Sequence, residues 1–146
     1  MTLLLDTNIL TRAAQPSHPM HQGALDAVTT LRAEGEELCV VPQNLIEFWV
    51  VATRPRAVNG LEMKTSHAAI ELARIKSLFR LLPDTPSVFA EWEKLVLLHS
   101  VSGKKAHDAR IVAAMKTYSV TTLLTFNTSD FRRYPGIITV DPGDVR

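Results

Sequence analysis

Eight residues near the start of the chain, Leu3-Leu4-Leu5-Asp6-Thr7-Asn8-Ile9-Leu10, restrict the fold more than any other stretch. Three leucines ending at an acid, with apolar residues returning at helical spacing from Ile9, describe a strand that hands one carboxylate to the start of a helix. A strand apolar at every position is buried on both faces, as in a parallel sheet covered by helices on both sides. Asp6 alone admits two readings. It can be a helix cap that accepts backbone N–H groups and offsets the positive end of the helix dipole, or a ligand presented at a sheet edge.

The order of apolar strand, polar residues and acid recurs along the chain. Leu38 to Val41 forms a continuous apolar run, and Pro42 opens a helix through Ala52 that is apolar on nearly every side and carries Glu47. An ionised Glu in such a helix needs a counter-charge, either an arginine such as Arg54 or Arg56 or a metal ion. Residues 54–60 then form a loop that could be mobile and could touch an anionic ligand. Val120 to Thr125 has the β-branched content of a strand and leads into Phe126-Asn127-Thr128-Ser129-Asp130-Phe131. Ile137 to Val140 forms a last strand, followed by a turn at residues 141–144.

Helices fill the intervals. A short one is expected over 7–14, ended by the prolines at 16 and 19. A second spans 21–33, with Ala24, Leu25, Val28 and Leu31 inward and Gly35 closing it. A third spans 65–79, with Ala69, Leu72, Ala73, Lys76 and Phe79 as its stripe, and a short edge strand over 80–83 follows. A fourth spans 87–100, with Phe89, Trp92, Val96 and His99 spaced for packing. The last begins in Gly103-Lys104-Lys105-Ala106-His107-Asp108, where Ile111, Val112 and Met115 stand three, four and seven residues after Asp108. That spacing sets the acid near the core-facing side of the first helical turn.

Alternating strands and helices predict an α/β fold, a three-layer α/β/α Rossmann-like sandwich whose mainly parallel sheet has four to five strands. At 146 residues the chain is expected to be one domain, 1–146. Its single cysteine, Cys39, lies in an apolar run and permits no intramolecular disulfide. There is no basic leader and no apolar run of membrane-spanning length, so a soluble cytoplasmic protein is expected.

Ligands of such sheets bind beyond the carboxyl ends of the strands. Asp6 and Asp130 each follow a strand, and Glu47 and Asp108 lie early on helices, so all four can meet at that edge. Clustered carboxylates raise one another's pKa unless a counter-charge joins them, and hard divalent cations, Mg²⁺ or Mn²⁺, suit an all-oxygen set. One or two such ions can support phosphodiester hydrolysis. Net charge is +1, but fifteen acids less those four leaves eleven against sixteen basic groups, a surface with some attraction for phosphate.

The segments Leu4-Leu5-Asp6-Thr7-Asn8-Ile9, Leu45-Ile46-Glu47, His107-Asp108-Ala109-Arg110-Ile111-Val112-Ala113 and Leu124-Thr125-Phe126-Asn127-Thr128-Ser129-Asp130-Phe131 together resemble the PIN-domain family, from residue 3 to about 140. Within it the chain is most similar to the single-domain VapC-type toxin ribonucleases of bacterial toxin-antitoxin pairs. The resemblance implies Mg²⁺- or Mn²⁺-dependent endonucleolytic cleavage of RNA, a homodimer and a small antitoxin partner. By position Asp6, Glu47, Asp108 and Asp130 match the family's acidic quartet. Thr7, Asn8, Thr125 and Asn127 fall at supporting polar positions, Asn127 standing where many relatives carry a further acid. Lys104, Lys105, Arg110, Arg132 and Arg133 flank the acidic segments and are candidate phosphate contacts. A PIN-like protein-binding module is the alternative, and a phosphate-handling receiver or phosphatase on a similar sheet is a third reading.

Overall fold

The computed structural model describes all 146 residues. Five strands, β1 (Thr2–Leu5), β2 (Glu37–Val40), β3 (Arg80–Leu81), β4 (Thr122–Leu124) and β5 (Ile138–Val140), lie in the order β3-β2-β1-β4-β5. Every neighbouring pair is parallel. Six helices accompany them: α1 (Thr7–Ala13), α2 (His21–Ala33), α3 (Pro42–Thr53), α4 (Thr65–Leu78), α5 (Pro86–Leu98) and α6 (Lys105–Thr117). After β1 the chain builds outward through β2 and β3, then returns to build β4 and β5 on the other side. The winding therefore reverses between β1 and β4, where a parallel sheet opens a crevice beyond its carboxyl ends.

The apolar strands serve two cores at once, because successive side chains leave a strand on opposite faces. Leu4, Cys39, Val41 and Leu123 pack on one face, under α5 and α6. Leu3, Leu5, Leu38, Val40 and Leu124 pack on the other, under α1 to α4. In α6 Ala109, Ile111, Val112, Ala113, Ala114 and Met115 are all buried. Its alanines bring the helix close to the sheet, which carries Asp108 inward with it. No helix is long and apolar enough to cross a membrane.

Element order agrees with the sequence expectations, and the differences concern ends and faces. β2 runs one residue earlier than expected and β3 is only two residues long. The buried side of α4 is Ala68 and Ile75, with Leu72 partly covered and Phe79 just beyond the helix end, not the stripe through Ala69, Ala73 and Lys76. Positions 68, 72, 75 and 79 are the i, i+4, i+7, i+11 set that lies along one face. On α5, Val88 and Leu95 are buried while Phe89 is 64% exposed. Helix α3 is not enclosed, since Ile46 and Val50 are 64% and 51% exposed. An apolar outer face on that helix is what made it read as buried.

The 54–60 loop is held, not loose. Its continuation folds back on the last turn of α3, with N–H groups of Leu61, Met63 and Glu62 donating to the carbonyls of Val51, Ala52 and Arg54 at 2.9, 2.8 and 3.0 Å. These donors satisfy carbonyls that a helix end otherwise leaves open.

Candidate functional site

Asp6 joins β1 to α1, and both readings of it are compatible with its geometry. Its N–H donates to the Leu124 carbonyl at 2.9 Å, extending the β1–β4 ladder. One carboxylate oxygen accepts the Thr7 N–H at 2.8 Å and so caps α1. The other accepts the Thr125 hydroxyl at 2.8 Å and, at 3.5 Å, the Asn8 amide. Thr125 follows β4 directly, so this second oxygen lies at the mouth of the crevice between β1 and β4.

Asn8 and Thr125 lock the two strand ends together. The Asn8 amide donates to the Thr125 hydroxyl at 3.3 Å, and its oxygen accepts the Phe126 N–H at 3.3 Å. Asn127 contributes its backbone N–H to the Thr125 hydroxyl at 2.9 Å while its side chain is exposed. All four supporting polar residues expected from the sequence thus belong to one region, Thr7 through its contact with Glu47 described next.

Glu47 arrives from the second turn of α3, half-buried. It makes no ion pair with Arg54 or Arg56; its two oxygens accept the Thr7 hydroxyl at 2.6 Å and the Gln43 amide at 3.1 Å. Asn44 donates to the same Thr7 hydroxyl at 3.2 Å and caps its own helix by accepting the Val41 N–H at 2.9 Å. Gln43 also donates to the His107 carbonyl at 2.8 Å, tying α3 to the start of α6 beside Asp108. Sequence reasoning missed Gln43 and Asn44. The available signal was two polar side chains in the first turn of an apolar helix, four and three residues before its acid.

Asp108 lies in the first turn of α6 and Asp130 in the 3₁₀ turn Thr128–Phe131 after β4. Burial, reinforced by the charges of Asp6 and Asp130 and more weakly by Glu47, pushes Asp108 up to about 6, with Lys105 opposing. Burial likewise raises Asp6, countered by its bonds from Thr125 and Thr7, with Glu47 and Asp130 adding to the rise. Asp6 and Asp108 each lie within the fields of Glu47 and Asp130, and Asp108 within that of Asp6.

Among the basic candidates, Lys105 pairs with Asp130 at 2.8 Å. Arg110 is held between Asp84 at 3.0 Å and the Gln43 oxygen at 3.2 Å. Lys104, Arg132 and Arg133 are exposed and in no ion pair. Asp84, which fixes Arg110, was not legible as a contributor because it comes from the loop after β3.

As the side chains stand, no three Asp, Glu, His or Cys groups close around a single ion position. The donor set itself, four carboxylates with hydroxyl and amide oxygens and no thiolate or imidazole, fits a hard cation of the magnesium or manganese kind. Beside Glu47 a cleft of about 630 Å³ opens over Thr7, Gln43, His107 and Arg110.

Comparison with solved structures finds the same fold in bacterial proteins of low identity. A chain of FitAcB from Neisseria gonorrhoeae is 22% identical with a TM-score of 0.72, over 97% of this chain and 99% of that one. VapBC-1 from nontypeable Haemophilus influenzae is 13% identical with a TM-score of 0.74, over 99% and 100%. Mycobacterium tuberculosis VapC20, a sarcin-ricin loop cleaving toxin, is 17% identical with a TM-score of 0.62, over 83% and 86%. No curated protein matches the chain in sequence. The model of the PIN domain matches residues 3–137, which take in the four acids and every strand but the last, and the chain belongs to the PIN domain family.

Proposed function

We propose that this protein is a single-domain, metal-dependent endoribonuclease and the toxin half of a toxin-antitoxin pair, with Asp6, Glu47, Asp108 and Asp130 as its catalytic acids. The observation that carries this reading is the burial of Asp108 beside the charges of Asp6, Asp130 and Glu47, which together lift it to about 6. Carboxylates gathered in this way are stable as anions only against a cation, and such a set is expected where a cation is to be bound. Family membership and the likeness to VapC20, a sarcin-ricin loop cleaving toxin, favour a toxin nuclease over a receiver or a phosphatase.

The chain's own groups have separable tasks. Asp6, Glu47, Asp108 and Asp130 are the residues that would hold the cation, and Thr125, Asn8 and Thr7 fix the orientation of Asp6 and Glu47. A bound Mg²⁺ or Mn²⁺ would supply the Lewis acidity that activates water and neutralises charge on the phosphate. Lys104 and Arg132 are free to hold substrate phosphates, and Lys105 can leave Asp130 to do the same.

An antitoxin partner is proposed from the likeness to a chain of a toxin-antitoxin complex from Klebsiella pneumoniae, 22% identical with a TM-score of 0.67. The exposed apolar side chains of α5, Phe89, Leu97 and Leu98, support a homodimer. The test of activity is incubation of the purified protein with labelled RNA in Mn²⁺ and in EDTA. Products in Mn²⁺ alone are expected. No products at any enzyme concentration would leave the protein-binding module as the better reading.

A further inference from the structure

Two clefts meet on one side of the molecule. The cleft over Thr7 and Glu47 shares Val51 and Arg54 with a larger one, about 1160 Å³, lined by Arg12, Arg56 and Lys64 among others. The two together form a groove that runs from Glu47 to a group of cations, along the neighbouring helices α1 and α3. Its length follows from helix geometry. Glu47 and Arg54 are seven residues apart, two turns on the same face of α3, so they are separated by about 10 Å. A single strand crosses this span in a few nucleotides.

The cations in this groove have no acidic partners. Arg12, Arg54, Arg56 and Lys64 are absent from all six ion pairs of the molecule. Arg12 donates to Gln15 at 3.1 Å and Arg54 to the Asn59 carbonyl at 3.0 Å, while the Arg54 Nε is buried with no partner. The one nearby acid, Glu62, accepts the Arg56 N–H at 3.3 Å.

These cations also sit on a fixed frame. Gly60 donates to the Pro55 carbonyl at 2.9 Å and packs so closely on Arg54 that a Cβ there would fall 1.8 Å from the Arg54 carbonyl oxygen. The N–H groups that cover the last carbonyls of α3 also blunt the negative helix end, which would otherwise repel an anion. Cations held in place lose less freedom on binding than cations on loose chains.

We propose that this groove binds the backbone of a single-stranded RNA segment, holding phosphates a few nucleotides from the bond presented to the acids. The inference rests on the nuclease reading, since continuity with Glu47, one of the proposed catalytic acids, is what favours a polyanion that occupies both ends. Exposed Ile46 and Val50, on the α3 face beside Glu47, offer apolar contact to unstacked bases, which suits a single strand better than a duplex.

The test is fluorescence anisotropy of a labelled 12-nucleotide single-stranded RNA in EDTA, where binding is read without cleavage, over a range of salt. The double variant Arg12→Glu/Arg56→Glu is compared with Arg32→Glu/Arg74→Glu, which changes net charge equally beside a separate apolar groove between α2 and α4. The groove pair is expected to weaken binding at least tenfold and to lower the salt slope by about 1.4, since each single-strand phosphate contact is worth about 0.7. The control pair should leave the slope unchanged. Equal effects from the two pairs, or none from the groove pair, would overturn the proposal. Cleavage in Mn²⁺ separates this from the parent reading. RNA held in the groove but never cut would support the groove and end the nuclease assignment. RNA cut at the same rate by the groove pair and the wild type would do the reverse and leave the cations to a protein partner.

Discussion

The Thr7 hydroxyl donates to Glu47 at 2.6 Å across 40 residues of sequence, and accepts the Asn44 amide at 3.2 Å. One hydroxyl thus joins the start of α1 to the acid of α3. Thr7→Val keeps the shape and removes the hydrogen bonds, leaving Asn44 and Glu47 each short of a partner, with an expected stability loss of about 1–3 kcal/mol. Urea unfolding measures this. Thr7→Ser should recover most of the stability and of any RNA cleavage, whereas a purely steric role would make Ser the worse substitute.

Asp108 gives a pH signature in metal-free protein. Its unfolded value is 3.8 and its folded value about 6, so between these the native state binds more protons and stability falls as pH rises. Below 3.8 the group contributes nothing, and above about 6 the full penalty is present. Asp108→Asn removes the penalty and should stabilise the metal-free protein at pH 8 by on the order of 1 kcal/mol after allowance for solvent screening, with no gain below pH 4. Added Mn²⁺ should raise the melting temperature of the wild type more than that of the variant. Equal stability of the two at pH 8 in EDTA would mean Asp108 is not under the strain described.

Lys105 competes for the site. Its ammonium lies 2.8 Å from Asp130 and is held charged chiefly by that hydrogen bond. Lys105→Met frees the carboxylate, so calorimetry should show Mn²⁺ bound several-fold more tightly, within what an exposed ion pair supplies. Weaker Mn²⁺ binding would show that the lysine supports the acid instead of occupying it.

Gly60 is constrained by contact alone. A Cβ there meets the Arg54 carbonyl carbon and Cβ at 2.2 and 2.6 Å as well as the oxygen, all at positions fixed by the end of α3. Gly60→Ala should lower unfolding free energy by about 1–3 kcal/mol, the range for overpacking a site that cannot yield. Hydrogen exchange at Leu61 and Met63 should quicken in the variant, since their N–H groups close the loop on Val51 and Ala52.

Much of the frame was legible because its signals are local. An apolar strand ending in an acid marked Asp6, and helix spacing after Asp108 marked its inward face. Three things were hidden for physical reasons. The run Leu3-Leu4-Leu5 is apolar on both faces, so sequence cannot say which core Leu4 serves and which Leu3 and Leu5 serve. The phase of α4 turns on Ala68 against Ala69, which differ only in what lies opposite. The partners of Glu47 come from Thr7 and Gln43, whose meeting depends on α1 lying beside α3, a tertiary fact. The basic loop after α3 was visible as composition, and its rigidity was not, because backbone hydrogen bonds carry it.

The most direct test of the acid cluster is a crystal of this protein soaked in Mn²⁺ and measured for anomalous scattering. The account predicts density within coordination distance, about 2 Å, of carboxylate oxygens from both Asp6 and Asp108, lost in Asp6→Asn. RNA cleavage that persists in crystals or solution with no ion bound between those two acids would contradict it.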